Sequence, residues 1–122
     1  MTLMLTIIAG AIGAVCRFVV DAEVKSRWES TVPWATIAIN VSGSFFLGGL
    51  AGAAIFHGAA PGWQTVLGTG FCGGYTTFST ASFESVRLIQ QRAHLAAAVN
   101  ILGTLGASVA ACALGLLLTS AL

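Results

Sequence analysis

Gly70-Phe71-Cys72-Gly73-Gly74-Tyr75-Thr76-Thr77-Phe78-Ser79-Thr80 lies inside an apolar run that extends from about Gly62 to Ile89. Two adjacent glycines followed by a hydroxyl-rich stretch are poor material for a continuous lipid-facing helix. Gly73-Gly74 offers no side chain to pack and tolerates conformations closed to other residues, so a helix can stop and restart there. A break at membrane depth frees carbonyl and N–H groups, each costing several kcal/mol if unpaired. Such backbone persists only against protein, an ion or water, and broken helices in transporters use it to hold ions. The alternative is a kinked helix whose hydroxyls bond back to the previous turn. The residues alone leave both readings open.

Working outward, three more apolar runs flank this one: Leu3 to Val20, Pro33 to Phe56 and Ala93 to Leu122. Each reaches the ~17–25 residues needed to cross a hydrocarbon core ~30 Å thick. The pattern predicts one domain over 1–122, an all-α membrane protein with helices near 3–20, 33–56, 62–89 and 93–120. The third is broken near 73–77. Trp28, Trp34 and Trp63 fall at run edges, the level at which an indole meets the headgroups. The start of the chain lacks a basic region, and Arg17 interrupts where a signal cleavage site is expected, so the first run reads as a retained helix.

Composition agrees. Hydrophobic residues make up 57% of the 122 residues and charged residues 7%, against about 25% charged in soluble domains. So few charges cannot coat a soluble surface, whereas lipid requires none. The five basic residues form no stripe, so nothing in the charge points to nucleic acid, and no nucleic-acid partner is expected. Cys16, Cys72 and Cys112 each sit in an apolar run with neither disulfide nor metal spacing, and read as small hydrophobes. No Ser/His/Asp or Cys/His set suggests an enzyme.

Small residues recur at every fourth position along two runs: Ser44, Gly48 and Gly52, then Gly103, Ala107, Ala111 and Gly115. Such stripes let helix backbones approach closely. They predict contact, not chemistry.

The central stretch, followed by Glu84, resembles the signature of the Fluc/CrcB fluoride channel family. Gly10-Ala11-Ile12-Gly13-Ala14-Val15-Cys16-Arg17-Phe18 is similar to that family's first-helix pattern. Asn40-Val41-Ser42-Gly43-Ser44-Phe45-Phe46-Leu47-Gly48 is similar to its second-helix pattern. The resemblance implies a multi-pass protein of the cell membrane that exports fluoride passively as an antiparallel dimer. It also implies a structural, untransported Na+ held by main-chain carbonyls, which here belong to Gly73 and Thr76. Carried over, Asn40 donates an amide N–H to the dehydrated anion; the alternative for an amide inside an apolar helix is an interhelical hydrogen bond. Phe78 turns its positive ring edge to the pathway, and the hydroxyls of Ser79 and Thr80 line the exit. Thr77 serves as such a donor or caps the restarted helix.

Arg17 stands at the vestibule or pairs with the end of the third helix. Glu84, the only acid inside a span, pairs with a basic or hydroxyl group. His57 and His94 fall in or beside loops and read as solvated. Asn100 faces either the pathway or a neighbouring helix.

One position departs from the family pattern. A second phenylalanine usually follows the first by three residues, and Ala81 stands there. Phe83 points about 200° away from position 81 and cannot replace it. Charge placement is also asymmetric. All five Lys and Arg residues fall in or beside the first and third connections, which makes that side cytoplasmic. A chain so biased is expected to insert one way, and its expected partner is a second subunit in inverted orientation, either a paralogue that supplies the missing aromatic ring or another copy of this chain. A small proton-coupled drug exporter is the main rival, but it needs a carboxylate in the first helix, and Leu3 to Val20 contains none. A non-transporting assembly subunit is the other.

Overall fold

The computed structural model describes residues 1–122 as an all-α bundle. Helix α1 spans Thr2–Arg27 and α2 spans Trp34–His57. The third run forms two pieces, α3 over residues 61–75 and α4 over Ser79–Gln90. Helix α5 covers His94–Ser120. Helices α1, α2 and α5 are each long and apolar enough to cross a membrane.

Helix α1 continues through Asp21–Arg27, which the sequence reading assigned to a connection. Two i,i+4 ion pairs carry it onward, Lys25–Asp21 at 2.9 Å and Arg27–Glu23 at 2.7 Å, each worth ~0.3–0.5 kcal/mol on a helix. Trp28 then turns extended, and Pro33 sets the start of α2. The chain leaves α4 through Arg92, whose φ of 57° closes the turn as Ala93 N–H bonds back to Leu88 O.

Two backbone-to-backbone contacts organise the bundle. Helix α2 lies against α5, where a Cβ on Gly48 would meet Cys112 O at 2.0 Å and one on Gly115 would meet Phe45 O at 2.2 Å. Helix α1 lies against α3, where a Cβ on Gly13 would meet Phe71 O at 2.2 Å and one on Gly74 would meet Gly10 O at 2.1 Å. The stripe on α2 therefore makes contact along Gly48 and Gly52. On α5 only its C-terminal end does so. Ala107 is exposed, and a Cβ on Gly103 would meet only Val99 of its own helix. A spacing of four advances 400° around a helix, so the stripe drifts about 40° per step and leaves the α2 face.

This geometry gives a sharp test. Gly48→Ala drives a methyl into a carbonyl that cannot move aside and is expected to cost about 3 kcal/mol. Gly49→Ala meets nothing within 4 Å and is expected to be neutral or stabilising by up to about 1 kcal/mol. Thermal unfolding of the two variants in detergent measures the difference, and equal melting temperatures would contradict the packing.

Only 16 of the 122 residues are buried, while Leu3, Phe18, Leu95 and Leu105 point outward. The bundle interior is thin, and most of its apolar surface faces out. Helical contact is made by glycine and alanine rather than by a large hydrophobic core.

The third run does break, but not at the double glycine. Gly73 and Gly74 are helical, and Gly73 has φ −63° and ψ −37°. The helix instead ends at Thr76 (φ −76°, ψ 161°) and restarts at Ser79. Thr76 closes the last turn with two bonds to Cys72 O, from its N–H at 2.9 Å and its hydroxyl at 2.8 Å. Gly74 serves the close approach to α1. Upstream, the turns over Gln64–Cys72 are widened to π-helical form, a departure often found at functional sites.

Candidate functional site: the helix break and the cavity beside it

Helical bonding is interrupted between Thr76, whose N–H still closes the last turn, and Phe78, whose carbonyl opens the next helix, so Thr77 needs partners from elsewhere. Asn40, on the facing side of α2, supplies two. Its Nδ2 donates to Thr77 O at 2.9 Å, and its Oδ1 accepts from Thr77 N–H at 2.8 Å. Of the two readings the sequence offers for Asn40, an N–H for the anion or an interhelical hydrogen bond, the amide here makes the second to the unwound segment, leaving one N–H beyond that clamp. Thr77 Oγ1 accepts from Thr80 N–H at 3.1 Å, which caps the restarted α4.

Arg17 reaches the same region from α1, its Nε donating to Gly74 O at 3.4 Å. Of its two expected placements, the one beside the third-helix end is adopted. The carbonyls of Gly73 and Thr76 accept no hydrogen bond: Thr77 N–H is taken by Asn40, and Thr80 N–H by Thr77 Oγ1. Gly73 is also exposed, with open space where a Cβ would stand. On the other side of the break, Tyr75 stacks on Phe71 at 5.8 Å between ring centroids and exchanges a 2.9 Å hydrogen bond with Ser42.

Beside the break lies a cavity of about 780 Å³, bounded by α2, α3, α4 and α5. Asn40 and Phe78 line it, as do Ala81, Ser82 and Ser85 of α4. Ser79 and Thr80 do not. Residues 78, 82 and 85 share one face of the restarted helix, while 79 and 80 are rotated 100° and 200° away. Phe78 is 87% exposed in the single chain.

The far wall comes from α5, whose polar residues Asn100, Thr104 and Ser108 stand one turn apart. Asn100 is 1% exposed. Its Nδ2 donates to Ser85 Oγ at 2.8 Å and to Ala81 O at 3.3 Å, which points the side chain at α4. Its Oδ1, Thr104 Oγ1 and Ser108 Oγ are buried without a partner. Three unpaired polar atoms along one stripe depart from the rule that buried polar groups are satisfied. Thr104 and Ser108 escaped the sequence reading, although their i,i+4,i+8 spacing with Asn100 in an apolar run was the available signal.

Glu84 points to the opposite face of α4, where it accepts a hydrogen bond from the buried Thr36 hydroxyl. Of the two kinds of partner expected for it, basic or hydroxyl, it meets a hydroxyl. His57 is exposed, as its solvated reading expects, and its Nε2 lies 2.8 Å from Thr119 O, joining the ends of α2 and α5.

Comparison with known proteins follows the same lines. The profile of the family described as CrcB-like protein, Camphor Resistance (CrcB), matches residues 4–116. The fluoride-specific ion channel FluC 1 of Leifsonia xyli subsp. xyli is 51% identical over 109 residues, covering 89% of this chain and 80% of that protein. FluC 2 of Cutibacterium acnes, likewise a fluoride-specific ion channel, is 44% identical over 121 residues, 98% of each chain. FluC 1 of Streptomyces avermitilis is 43% identical over 119 residues, covering 97% of this chain and 96% of that one.

Proposed function

The chain belongs to the CrcB-like family, and from that premise we propose that it is a fluoride-specific channel subunit of the cell membrane, lowering intracellular fluoride by passive efflux. The observation that carries this reading is the clamped break beside a cavity lined by unpaired hydroxyls. A continuous helix would have no use for it. A negative interior drives an anion outward with ~2.3 kcal/mol per charge per 100 mV, so no other energy source is needed.

Each side chain then has a task. Fluoride leaving water needs donors that replace its hydration. The hydroxyls of Thr104 and Ser108 and the remaining N–H of Asn40 can donate, and the Phe78 ring can present its positive edge. A narrow path with donors fixed by packing favours the small ion over a larger halide, since the larger one cannot approach every donor. Ser79 and Thr80 lie outside the cavity within the chain, and their assignment to the exit of the pathway rests on the family resemblance alone.

The free carbonyls of Gly73 and Thr76 suit a hard cation that takes oxygen ligands. No cluster of three or more acidic, thiol or imidazole side chains competes for one. We assign them to a structural Na+ shared between two subunits at the exposed Gly73. Bound there, the ion supplies fixed positive charge near the pathway. Arg17 occupies the neighbouring Gly74 carbonyl and keeps it from the same role.

The working assembly is an inverted dimer across the face that exposes Phe78 and Gly73. With Ala81 in place of the second ring and all basic residues on one side, the natural partner is an inverted paralogue. Fluoride efflux from liposomes tests these points together. Co-reconstitution with such a paralogue is expected to give fast efflux, this chain alone at least about tenfold slower efflux, and replacement of Na+ by a bulky organic cation a loss of both. Full efflux from this chain alone, with its terminus accessible from both membrane faces, refutes the paralogue pairing. Absence of fluoride efflux in every combination refutes the channel.

A further inference from the structure

A second cavity, of about 500 Å³, lies away from the break, where α1 ends, α2 begins and α4 approaches its last turn. Its lining includes Lys25, Trp28, Glu29, Trp34, Glu84 and Arg87. Three helix ends meet there, so in the bilayer it sits at the membrane surface, and its two indoles occupy the headgroup level. Its volume is that of an ordinary small-ligand pocket.

The charges around it do not neutralise one another. The ion pairs of the chain are Lys25–Asp21 and Arg27–Glu23. Arg87, Glu29 and Glu84 belong to neither, although all three line the same cavity. Glu84 spends one oxygen on the Thr36 hydroxyl and has no partner for the other. A guanidinium and two carboxylates thus face a shared space without bridging it. A simple anion would meet the two carboxylates, and a simple cation would meet Arg87 and Lys25. An occupant that carries both signs satisfies them together.

We propose that this cavity binds the zwitterionic headgroup of an aminophospholipid, phosphoethanolamine. The planar fork of Arg87 takes the phosphate oxygens, a geometry for which guanidinium is suited. The primary ammonium donates N–H bonds to Glu29, while Trp28 and Trp34 cover the glycerol end. Choline headgroups have a quaternary nitrogen with no N–H to donate, and glycerol headgroups have no cation. Both bind more weakly here.

The test uses the full chain in detergent, with Trp63→Phe so that emission comes from Trp28 and Trp34. Short-chain phosphatidylethanolamine is expected to change that emission saturably. Short-chain phosphatidylcholine and phosphatidylglycerol are expected to bind at least about tenfold more weakly, and inorganic phosphate to produce no saturable change. Arg87→Gln and Glu29→Gln, each checked for unchanged helical circular dichroism, are expected to weaken phosphatidylethanolamine at least about tenfold. Glu29 is exposed in a connection, so its variant keeps the test valid if Arg87→Gln does not fold. Equal titration by the three lipids, saturation by inorganic phosphate, or unchanged affinity in the Glu29 variant overturns the proposal. None of these readouts depends on fluoride efflux.

Discussion

Asn40→Ala is expected to abolish fluoride efflux and to lower stability by roughly 4 kcal/mol. The substitution removes both partners of Thr77, the Oδ1 that accepts its N–H and the Nδ2 that donates to its carbonyl. Each orphaned group costs about 1–3 kcal/mol where water cannot replace the lost bond. The result distinguishes two roles. A residue that only lined a pathway would lose efflux and keep its melting temperature, whereas a clamp loses both. Asn40→Asp sharpens the comparison, because it can still accept from Thr77 N–H but faces the Thr77 carbonyl with another acceptor. It should recover part of the stability and little of the efflux. An alanine variant that melts like the parent chain would remove Asn40 from its structural role.

Phe78→Ala is expected to behave in the opposite way, with efflux reduced on the order of 100-fold and little change in folding of the single chain. The ring is 87% exposed, so its truncation deletes few contacts within the subunit. What it deletes is apolar cover over the break and a positive ring edge at the cavity wall. An ion held by a ring in a desolvated setting is stabilised by ~2 kcal/mol or more in the cation case, and a comparable edge contact to a bare anion accounts for a change of this size. Phe78→Leu keeps the bulk and loses the edge. If leucine restores efflux, the ring acts by filling space, and its electrostatic role is withdrawn. Ala81→Phe in the chain that keeps Phe78 asks whether this chain can supply the second ring itself. Faster efflux without the paralogue is the expected result.

The glycine contacts and the break are parts of one arrangement. Gly13 and Gly74 bring α1 against α3 closely enough for Arg17 to reach the Gly74 carbonyl. Asn40 reaches Thr77 from α2, 37 residues earlier. The end of α3 at Thr76 is thus held from both sides. That leaves the carbonyls of Gly73 and Thr76 as the free backbone oxygens at the break, since Thr77 O is taken by Asn40 and Phe78 O by Ser82 N–H. Cys72 O accepts from both donors of Thr76, an i→i−4 closure of the last turn. The helix end is therefore set by a local closure and a distant clamp together.

Four apolar runs, an interruption in the third, short connections and a one-sided distribution of Lys and Arg were all legible in the amino-acid order. Those features follow from composition and spacing, which act along the chain. The location of the interruption was not. Glycine is intrinsically the easiest residue at which to unwind a helix, so local preference points to Gly73-Gly74. Which backbone groups actually come free depends on who can satisfy them, and Asn40 offers its amide to Thr77, not to the glycines. For the same reason the sequence placed Ser79 and Thr80 at the site, while the folded chain turns Ser82 and Ser85 to the cavity and faces them with Thr104 and Ser108. Rotation about α4 is set by where that helix restarts, and the restart is a property of the packed bundle.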